Sequence, residues 1–214
     1  QILLDNQPVE LSRRKVIAMM AYLAVTRTPQ RRDALATLFW PDSGQKNART
    51  ALRRELHLLQ QAIGDEWLET TRETVQCRDI VGIWLDVEAF RNLINEYETS
   101  AAPALIQAVD LYQGDFMAGF TLSDCPEFDD WQFFEADSLR RSYAGILETL
   151  VRDFEAKAEF DQAVDYARRW LAIDPMHEPV HRELMRLFAL AGQQAAAVRQ
   201  LSLIHISEPT RHRR

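Results

Sequence analysis

Cysteine, glycine and long apolar runs are all scarce in this 214-residue chain, and each scarcity excludes something. Only Cys77 and Cys125 occur, too few for a disulfide framework or for a four-ligand zinc site built from cysteine. No apolar run reaches the ~20 residues that a membrane-spanning helix needs, so no membrane role is expected. The seven glycines form neither G-x-x-x-x-G-K-S/T nor G-x-G-x-x-G, and no nucleotide site can be placed. Ser, Cys and His offer no nucleophile arrangement. Neither a cofactor nor an enzymatic activity is expected. The chain opens on Gln1 without a basic-then-apolar leader, which reads as a fragment of a cytoplasmic protein and not a secreted precursor.

What is present is a globular composition, 47% apolar and 27% charged, with an uneven distribution of charge. Residues 11–54 carry ten Lys or Arg against Asp33 and Asp42, a balance of +8, whereas residues 93–200 carry nine basic and nineteen acidic residues. A basic block in an otherwise acidic chain of net charge −7 is the footprint of a polyanion contact, because each cation laid on a phosphate releases condensed counterions. A solvated helix face is the plain alternative.

Ile2-Leu3-Leu4 and Val9-Glu10-Leu11 flank the turn formers Asp5 to Pro8 and predict a β-hairpin. Ser12 is positioned to cap a helix over 13–25, where Val16, Ile17, Met20, Leu23 and Ala24 recur at helical spacing. A second helix, 31–39, stops at Trp40-Pro41, since the residue before proline avoids helical angles. Asp42 and Ser43 supply oxygens to cap a third helix over 46–63. At 100° per residue, Lys46, Arg49, Thr50, Arg53, His57 and Gln60 share one arc with Arg54 on its edge. Ala48, Leu52, Leu56, Leu59 and Ile63 take the opposite side, and Glu55 lies inward, able to pair with a basic neighbour. An arginine row braced from behind by an apolar face suits the major groove, where the guanidinium fork matches guanine O6 and N7 or bridges to phosphate.

Two strands, Leu68–Thr70 and Thr74–Cys77, with Arg72 near the tip of the connecting turn, predict a second hairpin, and residues 81–85 a further strand. Hairpin, three helices with a basic third, then hairpin is the order of a winged helix-turn-helix, with the third helix in the groove and the wing on the backbone.

From Asp86, a plausible cap, the chain reads as all helical: one helix carrying Phe90, Leu93, Ile94 and Tyr97, a short one over 103–112, and a long one over 126–158. The last is expected to bury Phe128, Trp131, Phe134, Leu139, Tyr143, Ile146, Leu147, Leu150 and Phe154, as a core and not as a cofactor cage. Aligning Ala163 with the small-residue position of a 34-residue tetratricopeptide unit places Leu147, Leu150 and Phe154 on its first helix and Pro175 at its end. One repeat further on, His181, Leu184, Phe188 and Ala197 fall in register, with Gly192 at the turn. Such hairpins stack because none can bury its apolar face alone, and they commonly leave a partner surface.

His177-Glu178-Pro179-Val180-His181 has the H-E-x-x-H spacing of zinc proteases. Pro179 belongs in the first turn of a helix, so the motif straddles a helix start and His181 sits on the apolar side of the repeat. No metal is expected there.

Leu11-Ser12-Arg13-Arg14-Lys15, Ala21-Tyr22-Leu23-Ala24, Arg32-Asp33-Ala34-Leu35-Ala36, Leu38-Phe39-Trp40-Pro41-Asp42, Asn47-Ala48-Arg49-Thr50-Ala51-Leu52-Arg53-Arg54 and Trp84-Leu85-Asp86-Val87 resemble the OmpR-type winged-helix domain of bacterial activators of the antibiotic-regulatory-protein type. Leu111-Tyr112-Gln113-Gly114-Asp115-Phe116, Gly119-Phe120, residues 131–135 and Asp174-Pro175 resemble the bacterial transcriptional activator domain that follows it. Two departures stand out: the first sheet is short of its leading strand, and Ala136 takes a position where the family often has Arg. The resemblance implies a regulator of promoter DNA, often at direct repeats, with homodimer formation or contact with RNA polymerase. It matches the groove helix to 46–60, the wing to 68–77 and a polymerase-facing loop to 39–44.

The expectation is thus a mainly α fold with small β, a winged helix-turn-helix domain over 1–92 and an all-α TPR-like helical-repeat domain over 93–200. Residues 201–214 resemble the translated read-through of a sequencing adapter and are expected to be a non-native tail. The expected function is sequence-specific binding of double-stranded promoter DNA by a transcriptional regulator, an activator by resemblance. Arg49, Arg53 and His57 would face base edges while Lys46, Thr50, Arg54 and Arg72 hold phosphate. The alternative is a helical-repeat interaction module whose winged domain binds protein.

Overall fold

The computed structural model describes residues 2–4, 7–8, 11, 13–78, 83–97 and 102–207. The chain is mainly helical and divides into two compact units, residues 1–92 with 113–137, and residues 93–112 with 138 onward. No described helix is long and apolar enough to cross a membrane.

The first unit begins with strands β1 (Ile2–Leu4) and β2 (Gln7–Pro8) and then helix α1 (Arg14–Thr26). The hairpin is tighter than the sequence suggests: Leu4 pairs with Gln7 and Leu3 with Pro8. Pro8 has no N–H to donate, and it is tolerated because β2 lies at the edge of its three-stranded sheet, beside β1. Asp5, Asn6, Val9, Glu10 and the expected cap Ser12 lie outside the described residues. Arg13 takes the N-cap position of α1 without a side-chain capping bond.

Strand β3 (Gln30–Arg31), helix α2 (Arg32–Phe39) and helix α3 (Gln45–Ile63) follow. Trp40 leaves helical geometry at φ −140° and closes α2 before Pro41. The expected Asp42 and Ser43 caps are not made. Gly44 is the N-cap of α3 without a side-chain bond, and the preceding turn is held by the Ser43 N–H on the Trp40 carbonyl at 3.1 Å. Strands β4 (Leu68–Thr70) and β5 (Thr74–Cys77) form the second hairpin, and β3 joins it in a sheet of order β3-β5-β4. Strand β6 (Ile83–Leu85) pairs antiparallel with β1, while residues 81 and 82 lie outside the described ones. Helix α4 (Asp86–Tyr97) then starts with the Asp86 carboxylate accepting the Val87 N–H at 2.7 Å.

Phe39 organises the core of this unit. It is fully buried among Met19, Leu23, Leu35, Leu52 and Leu59, with the rings of Tyr22 and Phe128 at 6.3 and 5.5 Å. Leu122, Cys125 and Phe128 belong to the same core, and Met117, Phe120 and Trp131 pack against it. Within residues 113–137, Phe128 is buried in this core and Phe120 and Trp131 lie against it, so the segment packs with the first unit. Helix α6 (Pro126–Ala156) is divided between the two units. The expected burial of Phe134 is corrected, because it is exposed beside Phe133. It lies roughly 120° around the helix from the buried stripe through Phe128, Leu139 and Ile146.

The second unit holds α5 (Pro103–Leu111), the later part of α6, and helices α7 (Phe160–Ile173), α8 (Glu178–Leu190) and α9 (Gln194–Ser207). Its core includes Leu147, Leu150, Val151, Ala163, Ala167, Leu184, Leu187 and Phe188. The two helix–helix turns repeat each other 34 residues apart. Ala158 at φ 60° and Gly192 at φ 74° take the left-handed conformation, and the N–H groups of Glu159 and Gln193 reach back to the carbonyls of Phe154 and Phe188 at 2.9 and 2.8 Å. In the H-E-x-x-H segment, His177 is the N-cap of α8. His181 is buried, with Nε2 at 2.8 Å from the Pro175 carbonyl and Nδ1 at 2.5 Å from the Gln200 amide. Both ring nitrogens of His181 are therefore engaged within the fold.

Candidate nucleic-acid interface

Helix α3 has two unlike sides. Ala48, Leu52, Leu56, Leu59 and Ile63 are buried, whereas Lys46, Arg49, Thr50, Arg53, Arg54 and His57 are exposed. The 3.6-residue period thus fixes the cations on the outside by driving the leucines in. Arg72 is exposed at the turn of the β4–β5 hairpin. That turn is held by Thr71, whose hydroxyl accepts the N–H groups of Glu73 and Thr74 at 3.2 and 2.9 Å.

The exposed cations fall into two electrostatic classes. Arg49 is engaged: its Nε donates to Asp33 Oδ1 at 2.6 Å and its Nη2 to Asp33 Oδ2 at 2.8 Å. This bond from Arg49 holds the Asp33 carboxyl below the ordinary carboxylate range, and Asp33 in turn raises Arg49. Arg54 is engaged through the buried Glu55, whose Oε1 also accepts Arg13 Nη1 at 3.1 Å. Glu55 thus has the inward place and basic partner expected of it. Lys46, Arg53 and Arg72 have no carboxylate partner among the described residues. Thr50 bonds back to the Lys46 carbonyl at 2.9 Å, and His57 Nε2 is 3.1 Å from the Gln61 amide.

Thr50, Arg53, Arg54, His57 and Gln60 line one open groove of about 530 Å³ together with Arg32 and Thr70. Arg32 is a residue that the sequence reading missed. Its N–H donates to the Glu73 carbonyl at 2.8 Å and its Nε to the Thr71 carbonyl at 2.8 Å, so the start of α2 is stitched to the hairpin. Burial, with the neighbouring Arg53 cation, lowers the Arg32 guanidinium from its ordinary value. Linear spacing gave no signal for this residue, because its partners Thr71 and Glu73 lie in the sequence-distant β4–β5 hairpin.

Several other basic residues of this unit are spent on structure. Lys15 donates to the Phe39 carbonyl at 2.5 Å and pairs with Asp124 at 2.7 Å. Arg14 donates to the Thr121 carbonyl at 2.6 Å and lies over the Phe120 ring. These bonds tie α1 to the segment following residue 113. The cationic surface left over includes α3, Arg32 and the hairpin, with the exposed Arg31 and Arg78 beside them in the chain.

Among the described residues no group of His, Cys, Asp and Glu is arranged to hold a metal ion. Comparison with curated proteins gives no match. The family model of the bacterial transcriptional activator domain matches residues 85–205, which begins at the end of β6 and leaves α3 outside the matched segment. Since that match spans more than half of the sequence, the chain belongs to the bacterial transcriptional activator domain family.

Proposed function

We propose that this activator-family chain binds double-stranded promoter DNA through residues 1–92, read as a winged helix-turn-helix. Helix α3 enters the major groove and the β4–β5 hairpin lies on the backbone. The observation that carries the reading is the concentration of cations without counter-charge. Lys46, Arg53 and Arg72 lack carboxylate partners among the described residues, and Arg53 faces Arg32 across one open groove. Like charges brought together without a counter-charge raise the free energy of the unliganded protein, and an oxyanion placed between them removes that penalty. DNA phosphate supplies such oxyanions at fixed spacing.

On this reading Arg49, Arg53 and His57 approach base edges, Arg53 also neutralising a flanking phosphate, and Lys46, Thr50, Arg54 and Arg72 hold phosphate, with Arg32 added to the second group. The helical remainder is read as a TPR-like partner surface, supported by the 34-residue recurrence of the Ala158 and Gly192 turns. It is the part suited to RNA polymerase contact or to a second copy on direct repeats. A cytoplasmic, non-enzymatic regulator is the coherent whole.

The test is a salt titration of binding to random-sequence duplex. The expected outcome is a linear fall of log affinity with log salt, about 0.9 in slope for each phosphate neutralised. Absence of binding even at low salt would instead favour a protein partner for this unit.

A further inference from the structure

Of the α3 cations, Arg49 is the one neutralised by a two-pronged bridge to another helix, and this difference assigns it a separate task. Asp33 stands in the first turn of α2, where helix N-terminal N–H groups favour a carboxylate. Arg49 stands 16 residues on, near the start of α3. Nε on Oδ1 at 2.6 Å and Nη2 on Oδ2 at 2.8 Å place the two planar groups fork to fork, the geometry that fixes both orientation and rotamer. Both side chains remain about half exposed, at 53% and 42%, so the bridge forms at the surface that the proposed function turns toward DNA.

A guanidinium has more than one edge for two-pronged bonding. Asp33 occupies the Nε/Nη2 edge, which leaves the outer edge, with one proton of Nη1 and one of Nη2, free of that bridge. That outer edge matches the O6 and N7 acceptors of guanine. A free arginine on a helix would sample several rotamers and lose that freedom on binding, whereas one held by a carboxylate has already lost it. The bridge also cancels the charge of Arg49. Attraction to phosphate at any sequence then falls to Lys46, Arg53 and Arg72, while the bond that Arg49 makes depends on the correct base.

We infer that Asp33 is a specificity-determining positioning residue: it holds Arg49 so that the outer guanidinium edge reads a guanine, and its charge withholds Arg49 from indiscriminate phosphate binding. This inference rests on the proposed DNA binding.

The experiment uses the full chain with two probes, the duplex that the wild type selects from a random pool and the unselected random duplex. Asp33→Asn keeps the shape and removes the charge. The expected result is a roughly tenfold fall in the ratio of selected to random affinity, with tighter binding to random duplex and a salt slope steeper by about one phosphate. Reselection with Asp33→Asn is expected to lose preference at one G·C pair, and Asp33→Glu to restore part of it. Arg49→Ala is expected to lose preference at the same pair, and the double variant to lose no more than Arg49→Ala alone. Two results would overturn the inference while leaving DNA binding intact: a selected-to-random ratio within twofold of wild type in Asp33→Asn, or independent multiplication of the two single effects. A change in melting temperature without a change in base preference would make the bridge a plain surface brace and overturn it as well. A wild type that enriches no sequence would overturn the DNA reading itself, and the inference with it.

Discussion

The two units differ in how far they pair the arginines of their amphipathic helices with carboxylates. In the second unit Arg152 and Arg182 pair with Glu148 and Glu178 one turn earlier, Arg168 with Asp165, Arg169 with Asp110, and Arg186 with both Glu155 and Glu183. Each of these cations has its counter-charge supplied by the fold. On α3 the pattern is broken: Arg49 and Arg54 have carboxylates, while Lys46 and Arg53 have none among the described residues. The arginine count of a helix therefore says little about its role. The informative quantity is the counter-charge, because a surface that only needs solubility intersperses both signs, and one that waits for a polyanion leaves them out.

The most severe way to break this comparison is to remove the brace behind the cations. Leu52→Ala, in a fully buried position, is expected to destabilise the first unit by about 2–5 kcal/mol, seen as a lower denaturant midpoint together with loss of DNA binding. An unchanged midpoint would mean that α3 is not held by its apolar face.

The next contrast sets one arginine without a counter-charge against one that has it. Arg53→Ala is expected to weaken binding to random duplex by about tenfold at low salt, with thermal stability within roughly 0.5 kcal/mol of wild type. Arg182→Ala is expected to leave binding unchanged. Fluorescence anisotropy on both variants checks the pair, and equal losses would erase the distinction between the two surfaces.

The smallest effect is on pH. The bond from Arg186 holds Glu155 below its ordinary value of 4.5. A carboxylate depressed in the folded state stabilises fully above its unfolded value, and that contribution is lost as pH falls through the lower folded one. Glu155→Gln is therefore expected to melt slightly below wild type at pH 7 and to approach it as the pH falls below the ordinary carboxylate range. The gap stays small because the pair is solvent-screened. A gap that widened on acidification would reverse the sign and contradict the assignment.

Features carried by local periodicity were legible in the sequence. The opposed faces of α3, the β4–β5 hairpin with its turn at 71–73 and the 34-residue recurrence in the second unit all follow from spacings of 3.6, 2 and 34. Features made by meetings between distant segments were not. Gln30–Arg31 becomes strand only because β5 offers a partner, with Gln30 opposite Val75. Residues 113–137 join the first unit because Phe39 and Tyr22 have aromatic faces to cover, which no window around residue 120 reveals. The same holds at the candidate site. The exposure of Lys46, Arg53 and His57 was readable from the helical wheel, but the Asp33–Arg49 bridge and the placement of Arg32 needed α2 to lie against α3 and the hairpin. Phe134 shows the opposite failure, since aromatic density was read as burial where the helical angle said otherwise.

The most direct measurement of the central claim is the salt dependence of DNA binding in a variant with Lys46, Arg53 and Arg72 all replaced by alanine. The account predicts a log–log slope shallower than wild type by about 0.9 for each phosphate no longer neutralised, together with weaker binding to every sequence and an unaltered melt. A triple variant that kept both the slope and the affinity of the wild type would contradict it.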